Sequence, residues 1–299
     1  MVRATGLVRV ADESMVRGDA LRRAARRGDV RRLRPGAFVG VEHWAGMDAA
    51  ERHALTVRAA VAAARGPVLV SHMSAAVLHG LPVVGVRDQR VHLTVTGASG
   101  GELRAFVARH ATDGPVAETV VGGVRVTTAA RTVVDLARGS GFLAGVAAGD
   151  AALRLRRATM NELRDEVEAA GHGRGVRTAR DVLAFVDERS GSAGESLSRV
   201  RMWEAGLATP DLQREFHDRQ GFVGRVDFWW EDLRVVGEFD GRSKYGIDGE
   251  SQDVRDQLWD EKIREDRLRA VVSRVVRWTW AEAWAGAPLV ARLREAGVR

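Results

Sequence analysis

Asp227 and the triplet Glu238-Phe239-Asp240 are separated by ten residues in the C-terminal third of this 299-residue chain. The text between them alternates as two short strands around Glu231-Asp232. A two-residue turn there sets Trp230 against Leu233 and Phe228 against Val235. One face of the hairpin is then apolar throughout: Val226, Phe228, Trp230, Leu233, Val235, Gly237 and Phe239. The other carries Arg225, Asp227, Trp229, Arg234, Val236, Glu238 and Asp240. A slip of one residue would mix the two sets, so the pattern supports this pairing. In it Asp227 lies diagonal to Glu238, and Asp240 points to the same side. Three carboxylates gathered on one sheet face repel unless a hard cation sits among them. Mg²⁺ or Mn²⁺ takes such oxygen ligands and, so held, activates water for phosphodiester hydrolysis. The same register also describes an ordinary hairpin with one solvated face. Arg225 opposite Glu238 would then be an ion pair worth under ~1 kcal/mol. Trp229 either stacks on a base or packs under a neighbouring helix.

The elements that must position these groups follow from periodicity. A helix is predicted over about 195–205, closed by Gly206, then strands over 212–217, 224–230 and 233–240. A long helix over about 251–269 and a last strand over 271–279 complete the order α-β-β-β-α-β. Of 46 basic residues only two are lysine, Lys244 and Lys262, and both follow the carboxylate strand, beside the sole tyrosine, Tyr245. A lysine can shift its pKa and act on a proton, which arginine effectively cannot. This element order, with Asp227, Glu238-Phe239-Asp240 and Lys244, resembles the PD-(D/E)XK nuclease fold. More narrowly, RVDFWWEDLRVVGEFDGRSKYG (225–246) is similar to the very-short-patch-repair-endonuclease-like domains that follow antitoxin-like regions in some bacterial proteins. The resemblance implies that Asp227 and Glu238 are the metal-binding pair and that Glu195 is the helix acid supporting them. Asp240 stands where the motif has its lysine, and that role passes to Lys244, to Lys262 on the following helix, or to neither. Arg274 and Arg277 on the last strand flank the site, where they could hold phosphates.

Charge is concentrated at the other end. Residues 1–40 hold ten arginines against four acids, an excess equal to the whole formal net charge of +6. Such a segment on a neutral body suggests a polyanionic partner, most often nucleic acid. Ser14 is a plausible cap for a helix over 15–27 ended by Gly28, with Leu21, Ala24 and Ala25 as its apolar stripe. Arg22, Arg23, Arg26 and Arg27 occupy its other faces. A basic strand with Arg31, Arg32 and Arg34, a Pro35-Gly36 turn and the apolar strand Ala37-Phe38-Val39 follow. Helix then basic hairpin is the order of a winged helix, whose helix enters a major groove while the wing tracks phosphates. The region resembles the N-terminal winged-helix domain of the abortive-infection type IV antitoxins. That resemblance implies DNA binding through these seven arginines and a cognate toxin as a second partner. Only about fourteen residues precede the helix, where a full domain has two further helices, so the domain is expected to be pared down.

Between the two ends, helices are expected over 49–64 and 71–78, strands over 90–95 and 123–126, and a helix from Thr128. SHMSAAVLHGLP and AARTVVDLA are similar to the body of those antitoxin-like proteins. His72 and His79 lie seven apart on one helix face without a nearby third ligand, so packed or capping histidines are expected. The expected organisation is α/β (α+β overall): a winged-helix-like region over 1–42, an α+β region over 43–189 and a nuclease-like domain over 190–299. The absence of cysteine excludes a disulfide scaffold, a thiolate zinc site and a cysteine nucleophile. A hydrophobic share of 45% excludes wholesale disorder. The uncharged run 66–86 contains His72, His79 and Gly80-Leu81-Pro82, which a lipid-facing helix would not welcome. With no apolar stretch in the first residues, a cytoplasmic protein without a membrane partner is expected. The expected function is DNA interaction with Mg²⁺- or Mn²⁺-dependent endonuclease activity. The alternative is a non-catalytic regulator or antitoxin of a type IV toxin–antitoxin system carrying a degenerate nuclease fold.

Overall fold

The computed structural model describes residues 7–9, 15–34, 36–64, 66–96, 102–103, 106–112, 114–241, 267–268 and 270–299. The architecture is mixed α and β, as expected, with three sheets of three, six and four strands among the described residues. Two compact units divide the chain: Met1–Ala148 with Arg157–Asp181, and Gly149–Arg156 with Val182–Arg299. No described helix is long and apolar enough to cross a membrane.

The first unit begins with β1 (Leu7–Arg9), α1 (Met15–Arg27), β2 (Val30–Arg34) and β3 (Ala37–Gly40). These strands form an antiparallel sheet in the order β1-β3-β2, so a strand occupies part of the short stretch before the helix. Helix α1 ends as its glycine requires. Gly28 adopts φ +88, and Asp29 N donates to Ala24 O at 3.0 Å, the backbone closure of a left-handed C-terminal cap. The predicted stripe is observed, with Leu21, Ala24 and Ala25 half-buried and Arg22, Arg23, Arg26 and Arg27 exposed.

Helices α2 (Val41–Ala45) and α3 (Ala49–Ala62) lead into a six-stranded mixed sheet with the order β6-β7-β5-β4-β9-β8. Its strands are β4 (Leu69–Val70), β5 (Val91–Thr96), β6 (Glu102–Leu103), β7 (Val107–Thr112), β8 (Glu118–Val121) and β9 (Val124–Thr127). Helix α4 (His72–His79) and α5 (Ala129–Ser140) pair with each other, and Thr128 caps α5 by accepting from Arg131 N at 3.2 Å. The core joins Val57 of α3 and Ala75 of α4 to Val70, Val91, Leu93, Val124 and Val126 of the sheet. Helices α6 (Phe142–Arg154), α7 (Met160–Ala169) and α8 (Val176–Phe185) follow.

The second unit places α9 (Ala193–Glu204) before β10 (Asp211–Asp218), β11 (Gly221–Trp230), β12 (Val235–Asp240) and β13 (Arg274–Thr279), then α10 (Trp280–Ala285) and α11 (Ala287–Glu295). The sheet runs β10-β11-β12-β13, antiparallel except that β13 lies parallel to β12. A parallel neighbour requires a crossover, and most of the predicted helix over 251–269 that would supply it lies outside the described residues. Helix α9 packs on the apolar sheet face. Gly194 allows this approach, since a Cβ there would collide with the Phe239 ring. Trp278 of β13, fully buried, donates its indole N–H to Ser198 Oγ of α9 at 2.8 Å.

The hairpin register is corrected by the structure. Phe228 pairs with Gly237, Trp229 with Val236 and Trp230 with Val235, two positions along from the predicted pairing. Residues 231–234 form a longer turn in which Arg234 takes φ +52 and donates its N–H to Glu231 O at 3.0 Å. Arg234 is held there from outside the hairpin, its carbonyl accepting from Ser273 N at 2.7 Å and its guanidinium reaching Val271 O at 2.6 Å. A shift of two preserves which residues share a face, so the apolar and carboxylate faces stand as predicted while Leu233 leaves the strand. The expected Arg225–Glu238 pair is lost. Arg225 instead lies opposite Glu215 of β10, and Glu238 lies beside Arg277.

Candidate functional site

Asp227 and Glu195 meet at the edge of the carboxylate face. Ser192 caps α9, its hydroxyl accepting from Glu195 N at 3.2 Å and donating to Glu195 Oε1 at 2.8 Å. This cap turns Glu195 back over the helix start, where Gly191 N donates to its Oε2 at 2.7 Å. On β10, Gln213 adopts a left-handed φ of +56. Its amide nitrogen donates to Glu195 Oε2 at 2.9 Å and to Asp227 Oδ1 at 3.2 Å, so one side chain bridges the two acids. The other Asp227 oxygen accepts from Phe239 N at 2.8 Å.

Burial and neighbouring carboxylates disfavour ionisation of both acids. Burial pushes the Glu195 carboxyl above its ordinary range, and the neighbouring Asp227 charge pushes it further. Burial likewise raises Asp227, with Glu238 adding to the effect while the Phe239 and Gln213 hydrogen bonds oppose it. Continuing the observed register one pair beyond Phe228–Gly237 sets Asp227 against Glu238. Glu238 accepts from Arg277 Nε at 2.8 Å across the parallel pair. Asp240, exposed at the strand end, shares the face of Glu238 by alternation. Among the described residues no three His, Asp or Glu side chains converge as a formed metal cage. The donor chemistry nevertheless suits a hard cation: oxygen ligands only, with the Asp227 charge opposing ionisation of Glu195 and the Glu238 charge opposing that of Asp227, a repulsion that a divalent ion relieves.

Lys244 and Lys262 lie outside the described residues. Trp229 does not present itself to a base. It is 7% exposed, packed with Val223, Val236, Leu268 and Val272, with Phe216 edge-on at 5.0 Å. Arg274 is engaged with Glu295 O at 2.8 Å.

In the first unit the seven arginines divide. Arg22, Arg23, Arg26 and Arg27 line the exposed side of α1, with Asp19 bonded to Arg22 and Asp29 to Arg27. Arg31 and Arg32 are exposed on β2, and the Arg31 guanidinium lies 4.9 Å from the centre of the Trp44 ring. Arg34 is half-buried and donates to Ala60 O at 3.0 Å and Ala59 O at 3.4 Å, at the negative end of α3. It is therefore spent on the fold.

His79 is the packed histidine expected, its Nε2 bonded to Thr127 O at 2.7 Å. His72 is not alone, because the sheet brings His92 and His110 against it, a grouping that the separate strands hide in the sequence. Gln213 was also invisible there, since nothing about an amide in a strand marks it as a bridge between two acids.

No family model matches the chain. Two uncharacterized proteins of Mycobacterium tuberculosis, one from strain CDC 1551 and one from strain H37Rv, are each 35% identical to it over 145 residues. The match covers 48% of this chain and 53% of each relative, so the chain spans about half the length of the curated relatives it matches.

Proposed function

We propose that this protein binds duplex DNA through α1 and β2 and hydrolyses phosphodiesters with Mg²⁺ or Mn²⁺ at the carboxylate face of its second unit. The observation carrying the catalytic half is the Glu195–Gln213–Asp227 bridge, two acids held together against their mutual repulsion. Asp227, Glu238 and Glu195 would hold the ion, with Asp240 assisting. Bound there, it would supply Lewis acidity and an acidified water. The chain's own contribution is positional. The Ser192 cap fixes Glu195, the Phe239 amide fixes Asp227, and Gln213 keeps the pair aligned without a cation. Arg277 beside Glu238 is placed to meet a phosphate once that carboxylate turns to metal.

The DNA half rests on four exposed arginines on one side of a 13-residue helix, followed by two more on a basic strand. Each neutralised phosphate contributes about 0.9 to the slope of log K against log salt. Replacing Arg22, Arg23, Arg26 and Arg27 by Ala should flatten that slope by a few units on duplex DNA. An unchanged slope would remove the segment from the interface. For the metal half, calorimetry with Mn²⁺ should show binding that Asp227→Ala and Glu238→Ala abolish. Equal affinity in all three proteins would refute it.

One observation favours a second reading. The Glu238–Arg277 pair already neutralises a carboxylate within the protein, as a site that has lost its metal would do. The chain would then act as a non-catalytic regulator or antitoxin, recognising promoter DNA or a toxin through its first unit. Promoter-specific binding without Mn²⁺ binding would identify it.

A further inference from the structure

We propose that Trp44 is a positioning residue for DNA binding: its indole ring sets the Arg31 guanidinium in place to meet a backbone phosphate. The inference rests on the proposed DNA contact of α1 and β2, and adds the residue that orders it. The Arg31 guanidinium carbon lies 4.9 Å from the centre of the Trp44 ring, within the range of a cation–π contact. Trp44 is itself tied down. Arg52, at the start of α3, lies 5.5 Å from the same ring centre. It donates Nε to Trp44 O at 3.0 Å and Nη2 to Ala45 O at 3.2 Å. These are the last carbonyls of α2, where the exposed C=O dipoles favour a cation. A chain of contacts therefore runs from α3 through Arg52 and Trp44 to Arg31 on β2.

What distinguishes Arg31 is the part of it that is used. A guanidinium against an aromatic ring engages its flat face and leaves the N–H groups at its edge able to donate. Arg31 is exposed, and among the described residues no hydrogen bond or ion pair occupies those groups. Four other arginines of the segment are engaged at their N–H groups. Arg22 and Arg27 donate to Asp19 and Asp29, Arg32 Nε donates to Arg34 O at 3.4 Å, and Arg34 donates to the end of α3. An arginine loses much rotamer freedom when it closes on a phosphate. Held against the indole, Arg31 has already lost it, so the phosphate meets a preformed donor fork.

The test is binding of a fluorescein-labelled duplex oligonucleotide to the full chain, followed by anisotropy across a salt series in EDTA so that no cleavage interferes. Arg31→Ala should lower the slope of log K against log salt by about 0.9, one phosphate contact. Trp44→Leu should keep the wild-type slope and weaken binding about two- to tenfold at fixed salt, the cost of ordering one long side chain. Trp44→Phe, which keeps a ring face, should retain most of the affinity. In an Arg31→Ala background Trp44→Leu should cost nothing further, because it acts only through Arg31. Wild-type affinity in Trp44→Leu, an equal loss in Trp44→Phe, an unchanged slope in Arg31→Ala, or a further loss in the double variant would overturn the proposal. If Trp44→Leu fails to fold by circular dichroism, Arg31→Lys decides it. The charge then remains but the planar stack is lost, so affinity should fall with the slope intact, and wild-type affinity overturns the proposal. A slope flattened by replacing the four α1 arginines but unmoved at Arg31 would sink this inference and leave the DNA reading standing. No binding by the wild type would refute both.

Discussion

Replacing Gly237 by Ala tests whether the carboxylate strand is seated by its neighbours as the structure shows. A Cβ there would lie 2.6 Å from Trp278 Cη2, 3.0 Å from Trp278 Cζ3 and 3.1 Å from Phe228 Cβ. Neither neighbour can yield to solvent, because Trp278 is 1% and Phe228 0% exposed. Trp278 is further tied by its 2.8 Å bond to Ser198 on α9. Alanine in place of a strand glycine recovers roughly 0.5–1 kcal/mol of backbone entropy. Overpacking costs about 1–3 kcal/mol, and tilting the indole off Ser198 strands a buried N–H at about 1–3 kcal/mol more. The net expectation is a loss of about 1–5 kcal/mol, read as a fall in Tm of several degrees or more. Urea unfolding followed by tryptophan fluorescence, with calorimetry for Tm, reads this directly. Because Gly237 immediately precedes Glu238, Mn²⁺ affinity should fall as well. A Gly237→Ala protein as stable as wild type would mean that Trp278 does not sit over this strand.

Three further outcomes are expected. Asp150, fully buried, accepts from Asp187 N, Ser196 Oγ and Arg199 Nη1, so Asp150→Ala should cost about 3–5 kcal/mol in urea unfolding. The raised pKa values of Glu195 and Asp227 contribute stability that is present in full below the ordinary carboxylate range and lost as pH rises through their raised folded values. The wild-type minus Asp227→Asn difference in unfolding free energy should therefore decline with rising pH in metal-free buffer; a difference that grows with pH contradicts the assignment. Added Mn²⁺ should reverse that trend, because the ion binds the ionised pair.

Much of this was legible from local rules. The stripe of Leu21, Ala24 and Ala25 marks α1 because these spacings share a helix face, and Gly28 closes the helix because the left-handed cap demands it. The two faces of the β11–β12 hairpin were readable because side chains alternate with period two. Its register was not, because Arg234 is held in its left-handed turn by Ser273 and Val271, nearly forty residues away in sequence. The same non-locality hid Arg277 as the partner of Glu238 and Gln213 as the bridge between the acids. His92 and His110 read as ordinary strand residues until parallel pairing of β5 and β7 placed them on one side of the sheet.

The cleavage of nucleic acid proposed for the carboxylate face is open to direct measurement. It is tested most directly by incubating the full chain with single-stranded, duplex and mismatched DNA in Mg²⁺ or Mn²⁺, alongside Asp227→Ala, Lys244→Arg and Lys262→Arg. A lysine that orients or deprotonates water needs a titratable ammonium, so Lys244→Arg should lose most cleavage while retaining DNA affinity, and Lys262→Arg should lose little. Asp227→Ala should be inactive, and chelation should silence the wild type. Absence of cleavage on every substrate, or cleavage undiminished in Asp227→Ala, would contradict the account.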